Sequence, residues 1–322
     1  MYPVRFLVPG TTGKFRCGGL LVELQANRLV NTFAQAEIVT YRQREQGKYF
    51  FRDLLDQQIS NINFLWIVSW GFDVPALIRQ LEGCPVAYHA HSSGYGFDLP
   101  LGIPILAVSR NTLGYWGSRA SKNPIFFVPN AIELHWLRQN IKLMLYEKIK
   151  KKSLIERSID VLVQKRKGSE YILKELVPLL RAQGLKVKIQ EEWVENLVDL
   201  FGNAKIYLYD SSDYWYSLGI TEGFGLPPLE AMACGCVVFS SLNSALADTI
   251  DPGYSGHQIN CGTLGGDVSR IVSAVANLKN WKIDNKKLAT MMANSSESTL
   301  IKHWDNSLRS IYELESSGKI TI

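Results

Sequence analysis

No apolar run in this 322-residue sequence approaches the roughly 20 residues that a membrane-spanning helix needs. No secretory leader is visible either, since Tyr2-Pro-Val-Arg-Phe-Leu-Val-Pro9 reads as a first strand. Cysteine is scarce. The five residues Cys17, Cys84, Cys234, Cys236 and Cys261 are odd in number and lack metal-type spacing, which points to free thiols in a reducing cytoplasm. Cys234-Gly-Cys236 is too tight for an ordinary disulfide and is not spaced as a thioredoxin-type pair, so no redox role is expected. A dominant charge of one sign is also missing. Lys and Arg number 35 against 30 Asp and Glu, a balance of +5, and the basic residues are not interleaved with stacking aromatics, so nucleic acid is not an expected partner. There is no internal repeat or low-complexity tract, and a composition of 46% apolar and 20% charged residues is that of a globular chain. The length suits two domains.

What is present is an alternation of short apolar strands with amphipathic helices, the pattern of parallel sheets covered on both faces. In the first half strands are expected at 5–8, 36–40, 64–69, 85–89, 105–108 and 125–128, with helices near 19–33, 49–58, 74–81 and 109–116, the last capped by Ser109. The cycle restarts with strand 159–163, helix 169–183, strand 186–189, helix 193–201, strand 205–209, a short helix and strand 236–240, and the tail 285–314 is helical by pattern. Two sheets follow, with a boundary expected in the basic segment 134–157. Within it, Lys148, Lys150, Lys151 and Lys152 follow the aromatic-bearing stretch from Trp136 to Tyr146. Two readings stay open there: a surface lying on an anionic membrane, or an exposed connection that packs one face and solvates the other.

The richest segment is Thr221-Glu-Gly-Phe-Gly-Leu-Pro-Pro-Leu-Glu-Ala-Met-Ala-Cys-Gly-Cys236, which sets Glu222 and Glu230 around a glycine-rich entry into a helix. Gly223 and Gly225 allow strained backbone angles and close approach of a ligand. Pro227 and Pro228 suit the first helical turn, and such a helix aims N–H groups and its positive dipole end at the glycine loop, as a diphosphate requires. Glu222 then reaches a group beyond the phosphates, while Glu230 accepts hydrogen bonds from a ribose diol. Gly235 ends the helix. For either acid alone, a simple dipole-complementing role explains as much.

The full string resembles the donor-site signature of retaining glycosyltransferases of the GT-B fold, the large group 1 (family 4-like) class. The resemblance implies an α/β architecture of two Rossmann-like domains with parallel sheets facing a central cleft. Their extents are 1–134, with a closing helix from about 300 to 322 packing back on it, and 151–299 for the donor domain. Val128-Pro-Asn-Ala-Ile-Glu133 resembles the segment that closes the first domain, with Ala131 in place of the usual glycine. Gly18 and Gly19 match an N-terminal glycine loop lying against donor phosphate and acceptor, and the Ser or Thr that would make Gly13-Lys14 a P-loop is absent. In Tyr88-His-Ala-His-Ser-Ser-Gly94, His91 matches a histidine placed near the transferred sugar, with His89 as the alternative. A zinc site there lacks third and fourth ligands of suitable spacing.

In Gln164-Lys-Arg-Lys-Gly168, Lys167 matches a diphosphate-gripping lysine, and Lys165 stands where relatives carry an arginine, with Arg166 beside it. The implied catalytic residues are Glu222, His91 and Lys167. The implied donor-binding residues are Gly18, Gly19, Lys165, Lys167, Gly223, Phe224, Gly225, Leu226 and Glu230. Aspartates separated by one residue occur nowhere, so no metal and no other cofactor is expected; the cations and the helix end take the role of a metal against the leaving diphosphate. Asp210-Ser-Ser-Asp213 follows a strand and lines the expected crevice. The implied reaction moves a sugar from a nucleotide diphosphate to a hydroxyl of a glycan, lipid or small molecule with retention, the leaving phosphate helping to deprotonate the acceptor. A nucleotide-sugar-binding protein without catalysis is the alternative, and an epimerase or phosphorylase on the same architecture is a further one.

Overall fold

Among the described residues twelve strands form, the central ones along short apolar runs, and alternate residues serve opposite faces. They are β1 (Val4–Val8), β2 (Ala36–Thr40), β3 (Tyr49–Phe50), β4 (Leu65–Val68), β5 (Val86–Ala90), β6 (Ile105–Ala107), β7 (Ile125–Phe127), β8 (Ile159–Gln164), β9 (Val187–Gln190), β10 (Ala204–Tyr209), β11 (Val237–Ser240) and β12 (His257–Gln258). The structure is a computed structural model that describes residues 2–55, 64–150, 157–192, 194–318 and 320, without the side chains of 144 and 146–150.

The chain divides into two units, Met1–Ala131 with Glu297–Ile322, and Ile132–Ser296. The first holds a seven-stranded parallel sheet in the order β3-β2-β1-β4-β5-β6-β7. Phe6, Ile67, Ala87 and Leu106 face one core, together with Trp304, Leu308 and Ile311 of the helix Glu297–Ser316; Leu7, Trp66, Val68 and Tyr88 face the other. In the second unit the order is β12-β11-β10-β8-β9, again parallel. Val161, Val163, Ile206, Leu208 and Phe239 serve one face, and Leu162, Tyr207, Tyr209 and Val238 the other, where the helix Leu226–Ala233 packs. In each sheet the strand order reverses at one point, between β1 and β4 and between β8 and β10. Loops leaving the carboxyl ends of strands at such a point splay apart and leave room for a ligand.

Most expected elements are found within a residue or two, and three regions differ. Tyr49 and Phe50 do not begin a helix, because their backbones pair with Val39 and Thr40 as an edge strand; the helix is Phe51–Leu55, and positions 56–58 lie outside the described residues. The helix expected from Trp193 is Leu197–Gly202, capped by the Asn196 side chain, with Trp193 outside the described residues. The division at Ala131 falls ahead of the segment 134–157, since Ile132 and Trp136 are buried in the second unit's core at the head of the helix Leu134–Lys150. Lys151, Lys152 and the side chains of Lys148 and Lys150 lie outside the description. Among the described residues no helix is long and apolar enough to cross a membrane.

Arg157, which the sequence pattern does not mark, fastens the second unit. It is buried, has no carboxylate partner among the described residues, and donates to the carbonyls of Phe201, Ala204 and Cys234. Cys234 caps the helix Leu226–Ala233 and Phe201 lies in the last turn of Leu197–Gly202, so the guanidinium meets the negative ends of two helices. Gly235, at φ +75°, leaves the room it occupies, because a Cβ there would stand 2.9 Å from an Arg157 nitrogen. Arg157→Met is expected to strand these carbonyls and to lower stability by about 2–4 kcal/mol, measured by chemical denaturation.

Candidate active site

At the reversal point of the second sheet, β8 ends in the turn Lys165–Lys167 and β10 ends at Tyr209. Between them lies the Glu222 side chain, only 5% exposed. One of its oxygens, Oε2, accepts from the Tyr209 hydroxyl at 2.6 Å and the Trp215 indole N–H at 2.8 Å, with the Lys167 Nζ at 3.3 Å. The other, Oε1, meets only Lys167 among the described residues, at 3.5 Å. A carboxylate oxygen accepts more than one hydrogen bond, so Oε1 has capacity left for a ligand hydroxyl. Burial, and then the negative charge of Glu222, push the Tyr209 phenol well above its ordinary value, so it stays a donor. Lys167 also lies 3.4 Å from the Tyr209 oxygen and 4.5 Å above the Trp215 ring. These contacts are long for an ammonium, which leaves Lys167 placed but loosely engaged.

Gly225 takes the left-handed conformation, φ +82° and ψ 54°, at the entry to the helix Leu226–Ala233. No other residue fits: a Cβ would lie 2.4 Å from the Leu246 side chain. Among the described residues, the N–H groups of Gly225 and Leu226 find no acceptor. Pro227 and Pro228 contribute no N–H, so this helix start offers two donors and its dipole rather than a full turn of amides. Gly223 is buried and Phe224 and Leu226 pack against the core beneath the site, which assigns their side chains to support.

Glu230 lies one turn into that helix, and no hydrogen-bond partner of its carboxylate is found among the described residues. Its carboxyl is lifted to about 7, chiefly by burial, with Glu133 adding repulsion and Lys167 opposing it. An acid so crowded and unpartnered suits a ligand that donates hydrogen bonds.

Other expected residues are placed differently. Lys165 is exposed and bridges to Glu191 at 2.9 Å, beyond the end of β9, rather than joining Lys167. Arg166 is exposed. Asp210 is 1% exposed and is held by Ser212 and Asn260, so it braces the loops instead of facing a ligand. Trp215 and Tyr209 were not singled out by the sequence pattern; the aromatic run Tyr214-Trp-Tyr216 just after a strand is the signal that could have marked Trp215.

In the first unit, Gly18 and Gly19 open the helix Gly18–Val30 after the long loop that follows β1, and neither has a neighbour a Cβ would meet. One turn on, Glu23 is fully buried and its Oε1 meets His89 Nδ1 at 2.7 Å and His91 Nε2 at 2.5 Å. Burial opposes ionisation of Glu23, yet the charge and hydrogen bonds of the two histidines hold its carboxyl well below the usual range. Burial lowers the His89 imidazole, with Glu23 opposing. Thus the structure supplies the third ligand-type group that spacing along the chain did not, since Glu23 lies more than sixty residues before His89. The contacts themselves are of hydrogen-bond length.

Residues 163–296 match the family described as Glycosyl transferases group 1. No curated protein sequence matches the chain. Among solved structures, HepE of Anabaena in complex with UDP and glucose is similar over 95% of this chain and 100% of its own, with a TM-score of 0.63 and 15% identity. A sucrose-phosphate synthase from Thermosynechococcus elongatus is similar over 97% of this chain and 99% of its own, with a TM-score of 0.66 and 12% identity. A glycosyltransferase from Rickettsia africae ESF-5 reaches a TM-score of 0.68 at 11% identity, over 96% of this chain and 99% of its own. At such identities the likeness establishes the fold, which is GT-B.

The lifted Glu230 carboxyl has a consequence for stability. Unfolded, the group has its ordinary value of 4.5. A folded value near 7 means that ionising Glu230 costs stability, in full above pH 7 and not at all below about pH 4.5. Glu230→Gln is therefore expected to raise the melting temperature at pH 8, by the equivalent of at most about 3 kcal/mol, with the gain shrinking towards pH 5. Scanning calorimetry at both pH values checks this; an equal gain at both would show that Glu230 is not the titrating group.

Proposed function

We propose that this chain, whose residues 163–296 are a group 1 glycosyltransferase domain on a GT-B fold, transfers a sugar from a nucleotide-diphosphate donor to an acceptor hydroxyl with retention. The observation that carries the reading is the convergence of Lys167, Glu222 and the left-handed Gly225 turn at the reversal point of the second sheet. In this reading the Gly225 and Leu226 N–H groups and Lys167 hold the diphosphate. The open Oε1 of Glu222 takes a hydroxyl of the transferred sugar, and Glu230 takes the ribose diol. Lys165 joins the phosphates by giving up Glu191, an inexpensive exchange, because an exposed ion pair is worth about 0–1 kcal/mol. Phe224 and Leu226 keep the loop in place from below. Gly18, Gly19 and His91 are assigned to the sugar and acceptor side.

Charge develops on the leaving diphosphate as the bond to the sugar lengthens, and Lys167 with the helix start offsets it without a metal ion. The leaving phosphate oxygen then takes the acceptor proton, so no protein nucleophile is required. HepE is crystallised with UDP and with UDP-glucose, which makes UDP-sugars the first donors to test.

The acceptor belongs to a glycan, a lipid or a small molecule. On the helix Leu134–Lys150 the exposed Leu134, Ile141 and Leu145 share a stripe with Arg138 and flank Lys142, which supports peripheral contact with an anionic membrane. Five free cysteines support a cytoplasmic setting.

A thermal-shift panel of nucleoside diphosphates and sugar nucleotides, followed by an assay of donor hydrolysis and transfer, tests the proposal. The selected donor is expected to be turned over undiminished in EDTA, with product of the donor's anomeric configuration. Glu222→Ala is expected to depress turnover at least about 100-fold, by more than it weakens donor binding, and Glu230→Ala to weaken donor binding about tenfold. Binding without turnover in the unaltered protein would replace this reading with that of a binding protein. Loss of activity in chelator would remove its metal-free chemistry.

A further inference from the structure

Glu23 presents an unusual choice of residue on the buried face of a helix. Its position in Gly18–Val30 faces the sheet, where Leu20, Ala26, Leu29 and Val30 are apolar, and a carboxylate there is costly unless it is hydrogen-bonded. It is hydrogen-bonded twice, and through the same oxygen: His89 from within β5 and His91 just past its end both reach Oε1, with their rings 4.2 Å apart. Its second oxygen, Oε2, is buried without a partner. An ionised carboxylate can only accept. Each ring nitrogen that faces it must therefore carry a proton, namely Nδ1 of His89 and Nε2 of His91.

The two histidines differ in what this leaves over. His89 is 1% exposed, and its Nε2 is buried without a partner among the described residues, with the Trp304 ring packed edge-on at 5.1 Å. His91 is 15% exposed, and no partner of its Nδ1 is found among the described residues. In neutral His91 that outward nitrogen is bare and can only accept.

We infer that Glu23 is a positioning residue, which fixes His91 as the Nε2–H tautomer and so presents Nδ1 as a hydrogen-bond acceptor to a substrate hydroxyl. His89 completes the device. By donating to the same oxygen and filling the space between β5 and the helix Glu297–Ser316, it holds the carboxylate in one rotamer. The inference rests on the proposed transfer reaction for the identity of the hydroxyl, but not for the tautomer. Three ligand-type atoms this close are also what a divalent transition metal would use, and that is the competing account the test must separate.

The test uses the full chain with 15N-labelled histidine. At pH 8, where imidazoles are ordinarily neutral, side-chain nitrogen spectra of the unaltered protein are expected to show His91 protonated at Nε2 and bare at Nδ1. Glu23→Ala is expected to release His91 to a mixture of tautomers. Glu23→Gln, whose carbonyl oxygen still accepts, is expected to retain the pattern. In donor turnover, Glu23→Ala should lower kcat about tenfold with KM for the donor nearly unchanged, while Glu23→Gln stays within about threefold. Should Glu23→Ala fail to fold, the unaltered protein and Glu23→Gln decide the matter through their spectra.

An Nδ1–H tautomer in the unaltered protein, or a pattern indifferent to Glu23→Ala, overturns the inference. So does zinc bound one per chain by elemental analysis, with loss of that zinc in Glu23→Gln. If no sugar nucleotide binds or turns over, the transfer reading fails by itself, while the spectra still settle what Glu23 does to His91.

Discussion

One buried carboxylate ties the second unit's ligand-facing loops together. Through its side chain Glu222 gathers Lys167 from the loop after β8 and Tyr209 and Trp215 from the end of β10 and the helix beyond it. Through its backbone carbonyl it accepts from the Ala245 N–H at 3.3 Å, in the segment after β11. Three strand ends are thereby held around one residue. The cost of burying a charge is met by donors from every side, and the same donors place a cation where a diphosphate would lie. Removing that charge would do more than delete one contact, since it would leave Tyr209, Trp215 and Lys167 without their common acceptor.

The two acids of the glutamate motif therefore occupy opposite environments eight residues apart. Glu222 is satisfied by aromatic donors and a lysine, and keeps one oxygen in reserve. Glu230 finds no donor among the described residues, and burial lifts its carboxyl to about 7. In the proposed reaction this contrast gives them different work. A residue with fixed partners is preorganised for a group whose position must be held within a fraction of an ångström, such as a reacting sugar. A residue waiting without partners gains most from binding itself, as a ribose diol requires. The first unit repeats the theme with Glu23, where a single buried oxygen organises two imidazoles.

Much of this was legible in the sequence, for identifiable reasons. Strand cores such as Val4–Val8 and Ala204–Tyr209 announce themselves because both faces of a parallel strand are apolar. The glutamate helix is marked by residues that are nearly irreplaceable locally, the left-handed Gly225 at its start and Gly235 at its end. The edge strands Tyr49–Phe50 and His257–Gln258 were not legible, since two residues carry no period. Nor were the partners of the site. Arg157 and Glu23 act on residues far along the chain, and nothing in spacing reveals that Glu23, on a helix, meets His89 on the strand it packs against. The partner of Lys165 was hidden for a related reason: proximity to Lys167 in sequence gives no sign of Glu191, which the neighbouring strand brings alongside.

The central claim is that Glu222 and Glu230 read the two ends of one sugar nucleotide. The most direct measurement is calorimetric titration of the unaltered protein, Glu222→Gln and Glu230→Gln with a sugar nucleotide and, separately, with its nucleoside diphosphate. The account predicts that Glu230→Gln weakens both ligands alike, whereas Glu222→Gln weakens only the ligand that carries the sugar. Equal effects of the two substitutions on both ligands, or none on either, would contradict it.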